Sequence, residues 1–76
     1  MPRLPVVAGS EAVKALQRLG FFQDRQKESH VVVKKVTSAR EIGCVIPMHR
    51  EVAFGTLGSA LRIAGINVEE FTEALK

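Results

Sequence analysis

The order of apolar and polar positions predicts both helices and strands. In two long segments apolar residues recur three or four positions apart, which is the spacing of one helix face. Between them lie short runs rich in β-branched or aromatic residues, which favour strands. The predicted order is a helix, three strands, a second helix and a short last helix.

The first helix is predicted over residues 11–19. Ser10 precedes it as an N-cap, and Gly20 follows it as a left-handed stop. A second helix over residues 57–64 is predicted to be capped by Thr56 and stopped by Gly65. Asn67 caps the last helix, and Glu70 stands three residues later as a capping box requires.

The three strands are predicted over residues 21–25, 29–35 and 42–46. The turn at 26–28 is too short for a crossover helix, so the first two strands should pair antiparallel. Residues 36–41 are interpreted as a polar connection, and Pro47 ends the third strand.

Alternation along a strand divides the middle strand between two faces. Val31 and Val33 share one face with Ser29 and Lys35, whereas His30, Val32 and Lys34 share the other. If the valines face the core, His30 is displayed on an open face.

The third strand is apolar throughout, so its inward face is either Ile42, Cys44 and Ile46 or Val45 alone. The first choice buries more apolar surface, and it is preferred. His49 then follows on the open-face parity of Val45, unless Pro47 breaks that parity.

Helices and strands in this order imply an α+β domain: helix, three-stranded antiparallel sheet, helix and short C-terminal helix, with the helices on one sheet face. The arrangement resembles the double-stranded-RNA-binding domain. With 76 residues, 46% of them hydrophobic, the chain holds one modest core. Residues 1–9 are predicted to be an extended lead-in, and residues 10–76 a single domain.

Composition excludes several classes of protein. The single cysteine, Cys44, cannot form an internal disulfide or a cysteine-based zinc site, and it is expected to be a buried, inert thiol. No apolar run approaches the roughly 18 residues of a membrane span, and no signal peptide is visible. We therefore expect a cytoplasmic location, no membrane contact, no metal and no cofactor.

The net charge of +3 is unevenly distributed. Residues 25–50 hold six bases and two acids, whereas the segment from Ile66 onward is acidic. This pattern favours one cationic region on the surface. Dispersed lysines that only aid solubility explain it equally well.

Several short motifs together resemble the HicA toxin family in order and spacing. The motifs cover nearly the whole chain from the first helix onward: Gly20-Phe21-Phe22, Ser29-His30-Val31, Ile46-Pro47-Met48-His49, Gly55-Thr56-Leu57 and Ala64-Gly65-Ile66-Asn67-Val68-Glu69-Glu70-Phe71. The resemblance implies a small toxin of dsRBD-like fold that cleaves mRNA and is neutralised by a HicB antitoxin. The family's catalytic histidine lies in a Gly-Ser-His motif, which maps onto Glu28-Ser29-His30, with Glu28 in place of the glycine.

The residues themselves suit RNA cleavage. RNA carries its own nucleophile, the 2′-OH, so the protein needs a proton-transfer group and positive charge but no metal. His30 is the candidate general acid or base. His49 is a possible second group, although packing near Pro47 is the commoner role for such a histidine. The predicted RNA-binding residues are Arg25, Lys27, Ser29, Lys34 and Lys35.

The function predicted from the sequence is therefore a metal-independent endoribonuclease toxin, with mRNA and a HicB-like antitoxin as partners. Two alternatives stay open. One is a non-catalytic RNA-binding module that uses the same basic face, and the other is a protein that only pairs with a partner.

Overall fold

The protein has three helices and one three-stranded sheet. The computed structural model describes residues 3–76, so residues 1 and 2 of the predicted lead-in lie outside the described part of the chain. The elements are α1 (Gly9–Arg18), β1 (Phe22–Lys27), β2 (His30–Val36), β3 (Glu41–Pro47), α2 (Phe54–Ala64) and α3 (Val68–Leu75). The predicted α+β class and element order are confirmed.

The sheet is antiparallel throughout, with β2 in the centre. His30, the first residue of β2, lies opposite Lys27 of β1 and Pro47 of β3. A bulge between Gln23 and Arg25 leaves Asp24 without a partner in β2. Beyond the bulge the pairing continues as far as the hairpin, so β1 extends two residues past its predicted end.

The hydrophobic core lies between one face of the sheet and the helices. Val31 and Val33 of β2 are 1% and 0% exposed, which confirms that the valine pair faces inward. The preferred inward face of the third strand is also confirmed, because Cys44 and Ile46 are buried and Val45 is 48% exposed. The other buried side chains belong mainly to the helices, among them Leu16, Leu57, Leu61 and Phe71.

The helix ends agree with the sequence where the signal is a glycine or the Asn67 cap. Gly20 (φ 100°) and Gly65 (φ 73°) both take the left-handed conformation. Asn67 Oδ1 accepts the Glu70 N–H at 2.8 Å, and Glu70 Oε1 accepts the Asn67 N–H at 3.2 Å.

The other two predicted caps are wrong. α1 begins one residue before Ser10, and the Ala8 N–H donates to Glu11 Oε1 at 2.8 Å. α2 begins at Phe54 without a side-chain cap, so Thr56 lies inside the helix.

Candidate functional site

The β1–β2 hairpin places His30 at one end of the sheet. Cross-strand neighbours share a face, so Lys27 and His30 lie together on the face opposite the core. We call this the open face; it carries Phe22, Arg25 and Lys27 from β1, His30, Val32 and Lys34 from β2, and Val45 from β3. His30 is exposed and displays its imidazole to solvent.

The turn that leads into His30 consists of Glu28 and Ser29. It is one residue shorter than predicted and shifted toward β2. Glu28 has φ 56°, and it is the only non-glycine residue in the described chain with a positive φ. This conformation favours glycine, which is the residue of the family motif at this position.

The hairpin is held in place by the segment that follows β3. The Met48 N–H donates to the Ser29 carbonyl at 2.6 Å, which extends the β2–β3 ladder by one residue. The Gly9 N–H, at the start of α1, donates to the His49 carbonyl at 2.9 Å. A Cβ on Gly9 would clash with the Pro47 carbonyl oxygen and lie 2.8 Å from Met48 Cα. The start of α1 therefore sits directly against the segment that holds the turn.

His49 lies at the same end of the sheet as His30. It follows Pro47, the β3 partner of His30, by two residues, and it is exposed. The backbone contact between His49 and Gly9 holds this segment in place.

The cations divide into free and paired groups. Lys34 Nζ lies 3.1 Å from Glu41 Oε1 and 3.6 Å from Asp24 Oδ2. The hydrogen bond to Glu41, together with the charges of both carboxylates, raises the pKa of Lys34. The nearest acid to Arg25 is Asp24, at 3.9 Å from a guanidinium that is 75% exposed. On the open face, the positive charge available to a ligand is therefore concentrated on Arg25 and Lys27, because the charge of Lys34 is offset by two carboxylates.

Lys35 is not brought together with His30. Its ammonium donates to the Leu19 carbonyl at 3.0 Å and lies 5.8 Å from the centre of the Phe21 ring. The side chain therefore binds a carbonyl at the C-terminal end of α1, on the core side of the sheet. This agrees with its parity with Val31 and Val33, which separates it from Lys34.

Phe22 is a feature of the open face that the sequence reasoning did not select. Its partner in β2 is Lys34, and it is 47% exposed, whereas Phe21 is 4% exposed. An exposed aromatic ring on a sheet is a surface on which a nucleic-acid base can stack. The sequence does contain a signal for this position: side chains alternate along a strand, so Phe21 and Phe22 cannot both face the core.

Burial raises the pKa of the Cys44 thiol to about 11. A thiol of this kind is a poor nucleophile at neutral pH, which agrees with the predicted inert role. Among residues 3–76 no cluster of three or more His, Cys, Asp or Glu side chains is arranged to hold a metal ion. No helix in the same range is long and apolar enough to cross a membrane.

These features describe a small α+β domain with a histidine and cations displayed on one uncovered sheet face. The chain matches the family described as the HicA toxin of bacterial toxin–antitoxin systems over residues 9–66. The match spans most of the chain and includes the hairpin and the segment after β3, so the protein belongs to the HicA toxin family. No curated protein and no solved structure gives a significant match.

Proposed function

We propose that this toxin is a metal-independent endoribonuclease that cleaves mRNA, with His30 as general acid or base. The observation that carries the proposal is the position of His30. It is exposed at the hairpin end of the open face, beside Lys27, in the Ser-His pair that matches the family's catalytic motif.

The chemistry needs few groups from the protein. Histidine is the side chain whose ordinary pKa lies closest to neutral, so it can accept the 2′-OH proton or donate one to the leaving oxygen. Arg25 and Lys27 supply positive charge for the phosphate in the transition state. Ser29 and Lys34 are further candidate RNA contacts, and Phe22 offers a ring for base stacking. Lys35 is not proposed as an RNA contact, because its ammonium donates a hydrogen bond to the Leu19 carbonyl.

The test compares RNA cleavage by wild type and His30→Ala at equal concentration. Loss of a proton-transfer group should lower the rate about 10²–10⁴-fold. The fold should remain, because His30 is exposed, and circular dichroism and urea unfolding check this. Cleavage should persist in a chelator and leave a cyclic phosphate end. A folded His30→Ala variant that cleaves as fast as wild type would remove His30 from the mechanism.

His49→Ala extends the same experiment to the second proton transfer. A loss of rate comparable with that of His30→Ala, with RNA affinity retained, would assign the second transfer to His49. An unchanged rate would leave His49 with the structural role of its backbone, which accepts the Gly9 N–H.

A second candidate function is RNA binding without cleavage, and Glu28 favours it. A carboxylate two residues from His30 repels phosphate and replaces the glycine of the family motif. RNA binding with a steep salt dependence but no cleavage by wild type would establish this alternative.

We also propose that the partners are mRNA and a HicB-like antitoxin, and that the protein acts in the cytoplasm. An antitoxin that covers the open face, with acidic groups toward Arg25 and Lys27, would exclude RNA from His30. Hydrogen exchange with and without the antitoxin tests this arrangement. Protection confined to the helices would mean that inhibition does not act by covering the open face.

A further inference from the structure

The two edges of the sheet are protected to different degrees. β1 carries a bulge at Asp24 and charged side chains at Asp24, Arg25 and Lys27. Bulges and charges of this kind prevent another strand from pairing with an edge. β3 pairs without a bulge from Glu41 to Pro47, and its central residues, Gly43 to Ile46, carry no charge. Between Gly43 and Ile46 the edge of β3 therefore lacks the devices that protect β1, and Glu41 and Pro47 stand only at its two ends.

The hydrogen-bond pattern shows which backbone groups of β3 point outward. The Met48 N–H bonds to Ser29, and the Thr37 N–H bonds to Arg40, so bonded pairs fall on odd-numbered residues of β2 and its extensions. Bonded and non-bonded pairs alternate in an antiparallel ladder. Gly43 and Val45 belong to non-bonded pairs, so their N–H and C=O groups point away from β2. Pro47 also belongs to a non-bonded pair, but it offers only an outward C=O because proline has no N–H.

A groove of about 660 Å³ lies along this edge. Gly43 and Val45 line it on the strand side, and Thr56, Ser59 and Ile63 line it on the α2 side. No charged residue of the described chain lines the groove, and Ile63 is 59% exposed. The groove thus combines outward backbone donors and acceptors with an uncharged, largely apolar wall.

We propose that the β3 edge and this groove receive an extended segment of the antitoxin, which adds as a fourth strand. Strand addition supplies backbone hydrogen bonds, and alternate side chains of the added strand enter the groove. Because the wall is uncharged, the entering side chains are apolar, in contrast to the acidic groups expected over the hairpin. This proposal rests on the toxin role and adds a second contact to the one over His30.

Val45 belongs to both proposed antitoxin contacts, the one in the groove and the one over His30. Val45 lines the groove and also lies on the open face, opposite Val32 and two positions along the strand from the partner of His30. A strand paired with β3 would therefore extend the open face, and a chain leaving it could reach the hairpin without crossing the helical side. One antitoxin can thus be held at the β3 edge and cover His30 at the same time.

The experiment uses the cognate HicB-like antitoxin proposed above as the probe. Gly43→Pro removes one outward N–H without removing a β2–β3 hydrogen bond. Gly43→Ala is the matched control, because its Cβ would meet Lys34 Cγ at 3.5 Å, an ordinary contact, and the N–H stays. We expect Gly43→Pro to weaken antitoxin binding at least tenfold and Gly43→Ala to leave it within about twofold.

A second pair of variants tests the groove. Ser59→Glu places a negative charge in the groove, whereas Arg62→Gln changes the net charge by the same one unit on the same helix outside the groove lining. Only Ser59→Glu should weaken binding at least tenfold. Equal effects of the two variants would argue for a general charge effect and against the groove.

Hydrogen exchange of the wild-type complex gives a readout that needs no variant. The Gly43 and Val45 amides should exchange slowly only in the complex, and unchanged exchange there would overturn the proposal even if Gly43→Pro fails to fold. Sedimentation of the toxin alone provides a further test. Dimers that Gly43→Pro abolishes would mean that a second toxin copy occupies the edge instead.

RNA cleavage without antitoxin separates this proposal from the proposed function. Gly43→Pro and Ser59→Glu should cleave as wild type does. If wild type does not cleave RNA, the nuclease proposal fails while the binding results still decide strand addition.

Discussion

At the scale of single residues, Glu28 replaces the glycine of the family motif with a charged side chain, in a backbone conformation that favours glycine. Its φ of 56° lies in the left-handed region, which costs a residue with a side chain about 1–2 kcal/mol. The substitution of glycine by glutamate is visible in the sequence. Its conformational cost is not, because the turn was predicted over residues 26–28, and only the observed two-residue turn places Glu28 at its first position.

Glu28→Gly should stabilise the protein and raise RNA cleavage. Relief of the left-handed strain exceeds the extra chain entropy of glycine by about 0.5–1 kcal/mol, measured by urea unfolding. Glu28→Gln is the control, since it removes the charge and keeps the strain. It should raise cleavage without raising stability. If Gly and Gln variants have equal stability, the strain at Glu28 is negligible.

The two lysines of the open face should contribute unequally to RNA binding. Lys27→Ala should reduce the slope of log affinity against log salt by about one, as loss of one phosphate contact does. Lys34→Ala should reduce it by less, because Asp24 and Glu41 already offset the Lys34 charge. Titrations of a catalytically inactive His30→Ala variant at several salt concentrations measure both slopes. Equal reductions would mean that RNA displaces the carboxylates from Lys34.

At the scale of elements, the signals that predicted well are local. Gly20, Gly65 and Asn67 act within one turn of their own helix, so the sequence alone identifies them. The caps assigned to Ser10 and Thr56 failed because both helices begin earlier. For α1 the start is set by contact between Gly9 and the segment after β3, a contact between residues about 40 positions apart. No local pattern reports such a contact, although the strand faces and the exposed position of His30 followed from simple alternation.

Gly9→Ala should therefore destabilise the protein, against the usual preference of helices for alanine. The added Cβ would meet the backbone of Pro47 and Met48, and crowding of this kind costs about 1–3 kcal/mol. Ser10→Ala, at the adjacent exposed position, should change stability by less than about 0.5 kcal/mol. Urea unfolding of both variants measures the difference. Cleavage by the folded Gly9→Ala protein should also fall, because the displaced segment holds Ser29. A Gly9→Ala variant as stable and active as wild type would show that α1 does not set the position of the turn.

At the scale of the whole molecule, one face of the sheet forms the core and the other forms the candidate functional site. The helices bury one face and leave the other, with His30, free for a partner. The fold class follows from the sequence because the apolar stripes of two helices and the inward residues of β2 and β3 can be satisfied only by packing together. The pairing of Lys34, the core-side position of the Lys35 ammonium and the groove beside β3 depend on register and helix placement, which the sequence does not specify.

This separation predicts that core variants change stability and leave the chemistry of the folded molecule intact. Leu61 is 3% exposed in α2, and Leu61→Ala should lower the free energy of unfolding by about 2–5 kcal/mol. Ile63→Ala is the matched control, because Ile63 is 59% exposed on the same helix and should cost less than about 0.5 kcal/mol. Urea unfolding gives both values, and the cleavage rate divided by the folded fraction should equal that of wild type for each variant. A stable Leu61→Ala protein would mean that α2 does not depend on this core. The chemistry proposed here needs no contact between α2 and His30. A folded variant with a changed cleavage rate would therefore mean that α2 affects the hairpin indirectly, through the sheet.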